Sequence, residues 1–128
     1  MPAQLWYIYL VKNPRYTQGR RGQKYVVIVL IDTSPMRFYI NSEITDWITA
    51  RPGLWACEAN ISAEEHPVLT HDSYVDCQEV YRFQPRELTA RKDKISANAK
   101  RAIVNAVRDC PKLERKYKEA ILVQQDII

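Results

Sequence analysis

Long apolar runs are missing from this sequence, and nothing in it approaches the roughly 20 consecutive apolar residues of a membrane-spanning helix. The N-terminal run LWYIYLV is too short for a secretory signal, with no basic flank before it and no small-residue cleavage pattern after it. Cysteine is confined to Cys57, Cys77 and Cys110, an odd number without clustered spacing and without a CxxC pair. That predicts free thiols in a reducing cytoplasm, argues against a disulfide framework, and leaves structural zinc without ligands. Low-complexity tracts and internal repeats are absent. Glycine occurs three times, and two of the three fall in one segment, NPRYTQGRRGQ.

The chain has 128 residues, enough for one domain over its whole length, and its apolar fraction of 46% with 27% charged residues is ordinary for a globular protein. Eight tyrosines and three tryptophans supply large side chains for a core. The net charge of +4 is unevenly placed. Residues 1–81 carry seven Lys/Arg against nine Asp/Glu, and residues 82–128 carry twelve against six. Within the acidic half, Lys12, Arg15, Arg20, Arg21 and Lys24 form a basic cluster with no acid among them. Such clustering suits either an anionic partner or a solvated, solubilising surface.

Up to about residue 84 the sequence reads as strands. LWYIYLVK (5–12) alternates partly, KYVVIVLI (24–31) is a continuous β-branched run, and MRFYIN (36–41) follows the DTSP turn signal. SEITDWITARPG predicts a helical turn or two, with Ser42 as N-cap. LWACEANI (54–61) reads as a strand, and residues 68–83 as one long strand or two short ones. After Pro85 the pattern becomes helical. Ser96 is an N-cap for a helix with the apolar stripe Ala99, Ile103, Ala106, Val107 and Cys110. Leu113, Tyr117, Ala120 and Ile121 mark a second helix after Pro111. Strands followed by helices define an α+β fold: a small, mostly antiparallel sheet or barrel over about 1–84, then a helical part over about 95–124.

The stretch HDSYVDC (71–77) holds the residue types of a hydrolase triad, a metal site and a reactive thiol. On a strand, however, His71, Ser73 and Cys77 share one face while Asp72 points to the other. That geometry is poor for a local triad. His71 and Cys77 would lie roughly 20 Å apart and could not share an ion. No metal and no cofactor is expected. Cys77 reads as a small buried hydrophobe, and Asp72 and Ser73 as residues that tie a turn or strand start to the backbone. The basic loop beside the polar strand end Asn41-Ser42 is the better phosphate-contact surface. Tyr16, Tyr25 and Trp6 lie near it in sequence and could stack on bases, although core packing is the stronger reading for Tyr25 and Trp6.

The longer passage HDSYVDCQEVYRFQPRELTARKDKIS resembles the C-terminal strand region of the MazF/PemK family of toxin endoribonucleases. The matching positions are Asp72-Ser73, Glu79-Val80, Phe83 and Leu88, with a helix following from Ser96. Nearer the N-terminus, GRRGQKYVVIVLI resembles the family's basic loop and strand, with Lys24-Tyr25 where Arg-Pro is usual. Ile40-Asn41-Ser42 stands where the family has an I-T-S or I-T-A motif. The family's opening G-D-[IV] is absent.

The resemblance implies an SH3-like β-barrel followed by C-terminal helices. It also implies a metal-independent ribonuclease that cleaves single-stranded RNA to a 2′,3′-cyclic phosphate. On that basis Lys24 and Arg21 would stabilise charge, Asn41 and Ser42 would orient the phosphate, and Arg15, Arg20 and Tyr16 would contact RNA. An acidic antitoxin, a homodimer and a cytoplasmic location come with the same resemblance. The departures at Lys24 and Asn41 fall on the chemistry: lysine lacks the guanidinium fork, and an amide does not repeat a hydroxyl. A catalytically inactive barrel that binds RNA or an acidic protein is therefore the competing expectation. A third is an assembly subunit that docks through its basic helices.

Overall fold

The computed structural model describes residues 4–12, 23–82 and 88–127. Six strands form one antiparallel sheet: β1 (Tyr7–Lys12), β2 (Gln23–Ile31), β3 (Pro35–Asn41), β4 (Glu58–Ile61), β5 (Ser73–Arg82) and β6 (Leu88–Lys94). Their order across the sheet is β4-β5-β3-β2-β1-β6. Two four-residue helices, α1 (Asp46–Thr49) and α2 (Pro52–Trp55), link β3 to β4. Two longer ones, α3 (Ala97–Asp109) and α4 (Arg115–Ile127), close the chain. The α+β class and the antiparallel sheet followed by helices are as the sequence predicts.

Each sheet face gathers its own core. On one, Ile8, Val27, Phe38, Ile40, Val75 and Cys77 are buried together with Ala99, Ile103, Val107 and Ile121 of the two long helices. This is why α3 carries the predicted stripe, all five residues of which are buried. Ser96 is the N-cap, its Oγ accepting from the Ala99 N–H at 3.0 Å. The opposite face buries Tyr9, Val11, Val26, Ile28 and Tyr39. The run KYVVIVLI is continuous because β2 is buried on both faces.

Five expectations are corrected. Cys57 and Cys110 form a disulfide across 53 residues, so the expected set of free thiols does not hold, and the argument for a reducing compartment loses its ground. The pairing depends on α3 packing against β4, which sequence spacing does not reveal. Cys77 remains free and buried, and burial pushes its thiol well above the usual range. Residues 54–61 are not one strand, because Pro52 starts a helical turn and the strand begins only at Glu58. The N-cap of α1 is Thr45, whose Oγ1 accepts from Ile48 N–H, and not Ser42. Strand β5 begins at Ser73, so His71 lies before it and shares no strand face with Cys77. Finally, the charged segment LTARKDK is the edge strand β6, paired with β1 alone among the described strands. Its side-chain pattern hides it, since an edge strand needs no apolar alternation.

The segment 62–72 crosses from β4 to β5 without regular structure and is pinned by polar contacts. His66 is fully buried. Its Nδ1 lies 2.8 Å from the Ser62 carbonyl, and its Nε2 accepts from Ser96 N–H at 3.0 Å. Val68 N–H donates to Asp93 Oδ2, and Ala63 N–H donates to Asp72 Oδ1, each at 2.9 Å. Ser73 Oγ donates to the His71 carbonyl at 2.9 Å. Asp72 and Ser73 are thus the backbone ties expected of them.

Candidate functional site

Directly opposite residues of an antiparallel pair share a face. Across the face opposite the long helices, Asn41 lies opposite Tyr74, and Tyr74 opposite Asn60. Lys24 joins this row from β2, its Nζ donating to Asn41 Oδ1. One step along the strands runs a parallel row of Tyr9, Val26, Tyr39, Asp76 and Glu58. Ser42 follows the last residue of β3, on a bend at the sheet end.

There Ser42 lines a cleft of about 340 Å³ together with Lys24, Tyr25, Thr70, His71 and Ser73. Lys24 therefore belongs to both arrangements: it touches Asn41 and borders the cleft. Ser73 Oγ is committed to the His71 carbonyl, while the His71 ring is exposed with Nδ1 3.1 Å from Thr70 Oγ1. His71 is the residue that reasoning on strand directions set aside. It reaches the cleft because the chain bends before β5, and strand alternation does not apply to a bend.

Of the other residues singled out in the sequence, Arg15, Tyr16, Arg20, Arg21 and Phe83 lie outside the described residues. Trp6 is buried in the core, and Tyr25 is half-buried at the cleft, so packing accounts for most of both rings. Among the described residues, no group of three or more His, Cys, Asp or Glu is placed to hold a metal ion. No described helix is long and apolar enough to cross a membrane.

Sequence reasoning missed the carboxyl pair beside the row. Glu58 and Asp76 face each other across β4 and β5. Burial, and then the Asp76 charge, push Glu58 up to about 8. Burial also raises Asp76, opposed by hydrogen bonds from Gln78 and by the Lys24 charge. At neutral pH Glu58 keeps its proton. A raised carboxyl binds its proton more tightly in the folded chain than in the unfolded one. Stability should therefore fall as pH rises from the ordinary carboxylate range through about 8. Glu58→Gln should flatten that slope and stabilise the chain at pH 9 by about 1 kcal/mol, a figure discounted for the partial exposure of Glu58. Urea unfolding at pH 6 and pH 9 checks both signs. No sequence signal could have found the pair, because their meeting depends on the β4–β5 register.

The antiparallel sheet and the closing helices are consistent with a MazF-like fold. Among solved structures, the Mycobacterium tuberculosis toxin MazF-mt6 is similar, with a TM-score of 0.60 over 84% of this chain and 98% of that one. The two share 15% sequence identity, so the likeness is one of fold. No family model matches the chain, and no curated protein matches it by sequence.

Proposed function

We propose that this chain is a MazF-like toxin of a toxin–antitoxin system, a metal-independent endoribonuclease acting on single-stranded RNA. The observation that carries the reading is the single cleft lined by Lys24, Ser42 and His71. A cation, a hydroxyl and an imidazole suit an RNA phosphodiester broken by its own 2′-hydroxyl. In the proposed reaction His71 takes the 2′-OH proton as the 2′-oxygen attacks phosphorus. The bond to the 5′-oxygen breaks, that oxygen gains a proton, and the products are a 2′,3′-cyclic phosphate and a 5′-hydroxyl. Lys24 faces the charge that builds on the phosphoryl oxygens, and Ser42 donates a hydrogen bond to them. Asn41 holds the Lys24 ammonium in place. The fold likeness and the basic cluster at Arg15, Arg20 and Arg21 support RNA as substrate, with Tyr16 next to Arg15 in the sequence. The same likeness supports an acidic antitoxin as partner, a homodimer as working form and the cytoplasm as the place of action.

Purified protein incubated with a long unstructured RNA in EDTA should give fragments ending in cyclic phosphate. Ser42→Ala and His71→Ala should each slow cleavage about 100-fold, the ordinary contribution of a positioned donor or base. Salt-dependent binding without fragments would instead identify the chain as a non-catalytic RNA-binding barrel.

A further inference from the structure

The linker between β3 and β4 turns two of the chain's three tryptophans outward. Trp47 is 58% exposed and Trp55 is 43% exposed, and α1 buries none of its residues. Core packing does not explain indoles placed this way. Trp55 meets Tyr74 with ring centroids 5.9 Å apart and planes inclined at 51°, so the two rings form an open wedge rather than a closed stack. Tyr74 is the centre of the row that begins at Lys24: it lies directly opposite Asn41 on one side and exposed Asn60 on the other.

We propose that Trp55 and Tyr74 form a stacking subsite for one unpaired nucleobase, adjoining the phosphate held at Lys24. The inference rests on the RNA reading above and extends it to a specificity-bearing contact. Two strand spacings, about 10 Å, separate the β2 position of Lys24 from the β5 position of Tyr74. A base next to the bound phosphate spans that gap. Single-stranded RNA is held largely by such aromatic faces, and the Asn41 and Asn60 amides flank the ring with both donors and acceptors for a base edge. Continuity with Lys24 favours a nucleobase over a protein side chain as the occupant.

The test uses a 2′-O-methyl RNA oligonucleotide, which lacks the attacking hydroxyl and stays intact. In a Trp47→Phe background the remaining exposed indole is Trp55, and its emission should be quenched on binding. Trp55→Ala should weaken binding about 5- to 150-fold, the range for loss of one stacked base. Trp55→Phe should recover most of the affinity. The difference between Trp55→Ala and its parent should vanish on an oligonucleotide of the same length made wholly of abasic nucleotides. Trp55→Leu keeps an apolar side chain without a ring and should behave as Trp55→Ala does, which separates stacking from folding. Parent protein that binds while Trp55→Ala and Trp55→Leu bind equally well would overturn the subsite alone. A loss that persists undiminished on the abasic oligonucleotide would also overturn it. A parent protein that binds no RNA would overturn the subsite and the RNA reading together.

Discussion

Replacing Cys57 and Cys110 together by alanine is expected to cost about 4 kcal/mol of folding stability, because the bridge closes a loop of 53 residues in the unfolded chain. For a chain of this length that is a fall in melting temperature of roughly 15 °C. The wild-type protein in excess dithiothreitol should melt with the double variant. Cys77 offers no replacement bridge, since its thiol is buried and held protonated by that burial. Identical melts with and without reductant would show that α3 is held on β4 by packing alone. The expectation bears on function because the bridge is placed beside the site. Cys57 precedes Glu58, and its carbonyl accepts from Cys77 N–H at 2.9 Å, next to Asp76. In a reducing cytoplasm the chain would work without the bridge, with both edges of the carboxyl pair less firmly held. Thiol alkylation of protein taken directly from cells decides which form is present.

What the sequence made legible follows from how local each signal is. Ser96 and the stripe from Ala99 to Cys110 needed only helical spacing, and α3 lies where they place it. The β-branched run of β2 needed only its composition. Of the basic cluster, Lys24 meets Asn41 at a strand end. Several of the failures are matters of register or of distant packing. Glu58 and Asp76 are 18 positions apart and meet only because β4 pairs with β5. Cys57 and Cys110 meet only because α3 returns to β4. β6 shows no alternation because its Arg91, Lys92 and Lys94 sit on an edge, where charge discourages further strand pairing. His71 was judged by a rule for strands, and it stands on a bend held by Asp72 and Ser73.

Lys24→Ala should lower RNA cleavage about 100- to 1000-fold, the effect of removing one preorganised partner of a developing oxyanion. It should do so without unfolding the chain, because Lys24 is half-buried at a strand end and not part of the core. Two further readouts separate this from loss of structure. The Lys24 charge holds Asp76 down, so removing it should let the Asp76 carboxyl rise further, opposite to the effect of adding a cation. The fall of stability with pH should then extend to higher pH than in the wild-type chain. Lys24→Arg restores the charge and adds the bidentate fork that the MazF/PemK resemblance leads one to expect at this position. It should recover cleavage well above Lys24→Ala, and exceed the wild type if Asn41 can hold a guanidinium as it holds the ammonium. Asn41→Ala leaves the charge but frees its position, and should cost about tenfold, less than losing the charge itself. Equal rates for Lys24→Ala and wild type would remove Lys24 from the reaction and leave it as a tether of Asn41. The order Lys24→Ala, then Asn41→Ala, then wild type is the one that a cation positioned by its neighbour requires.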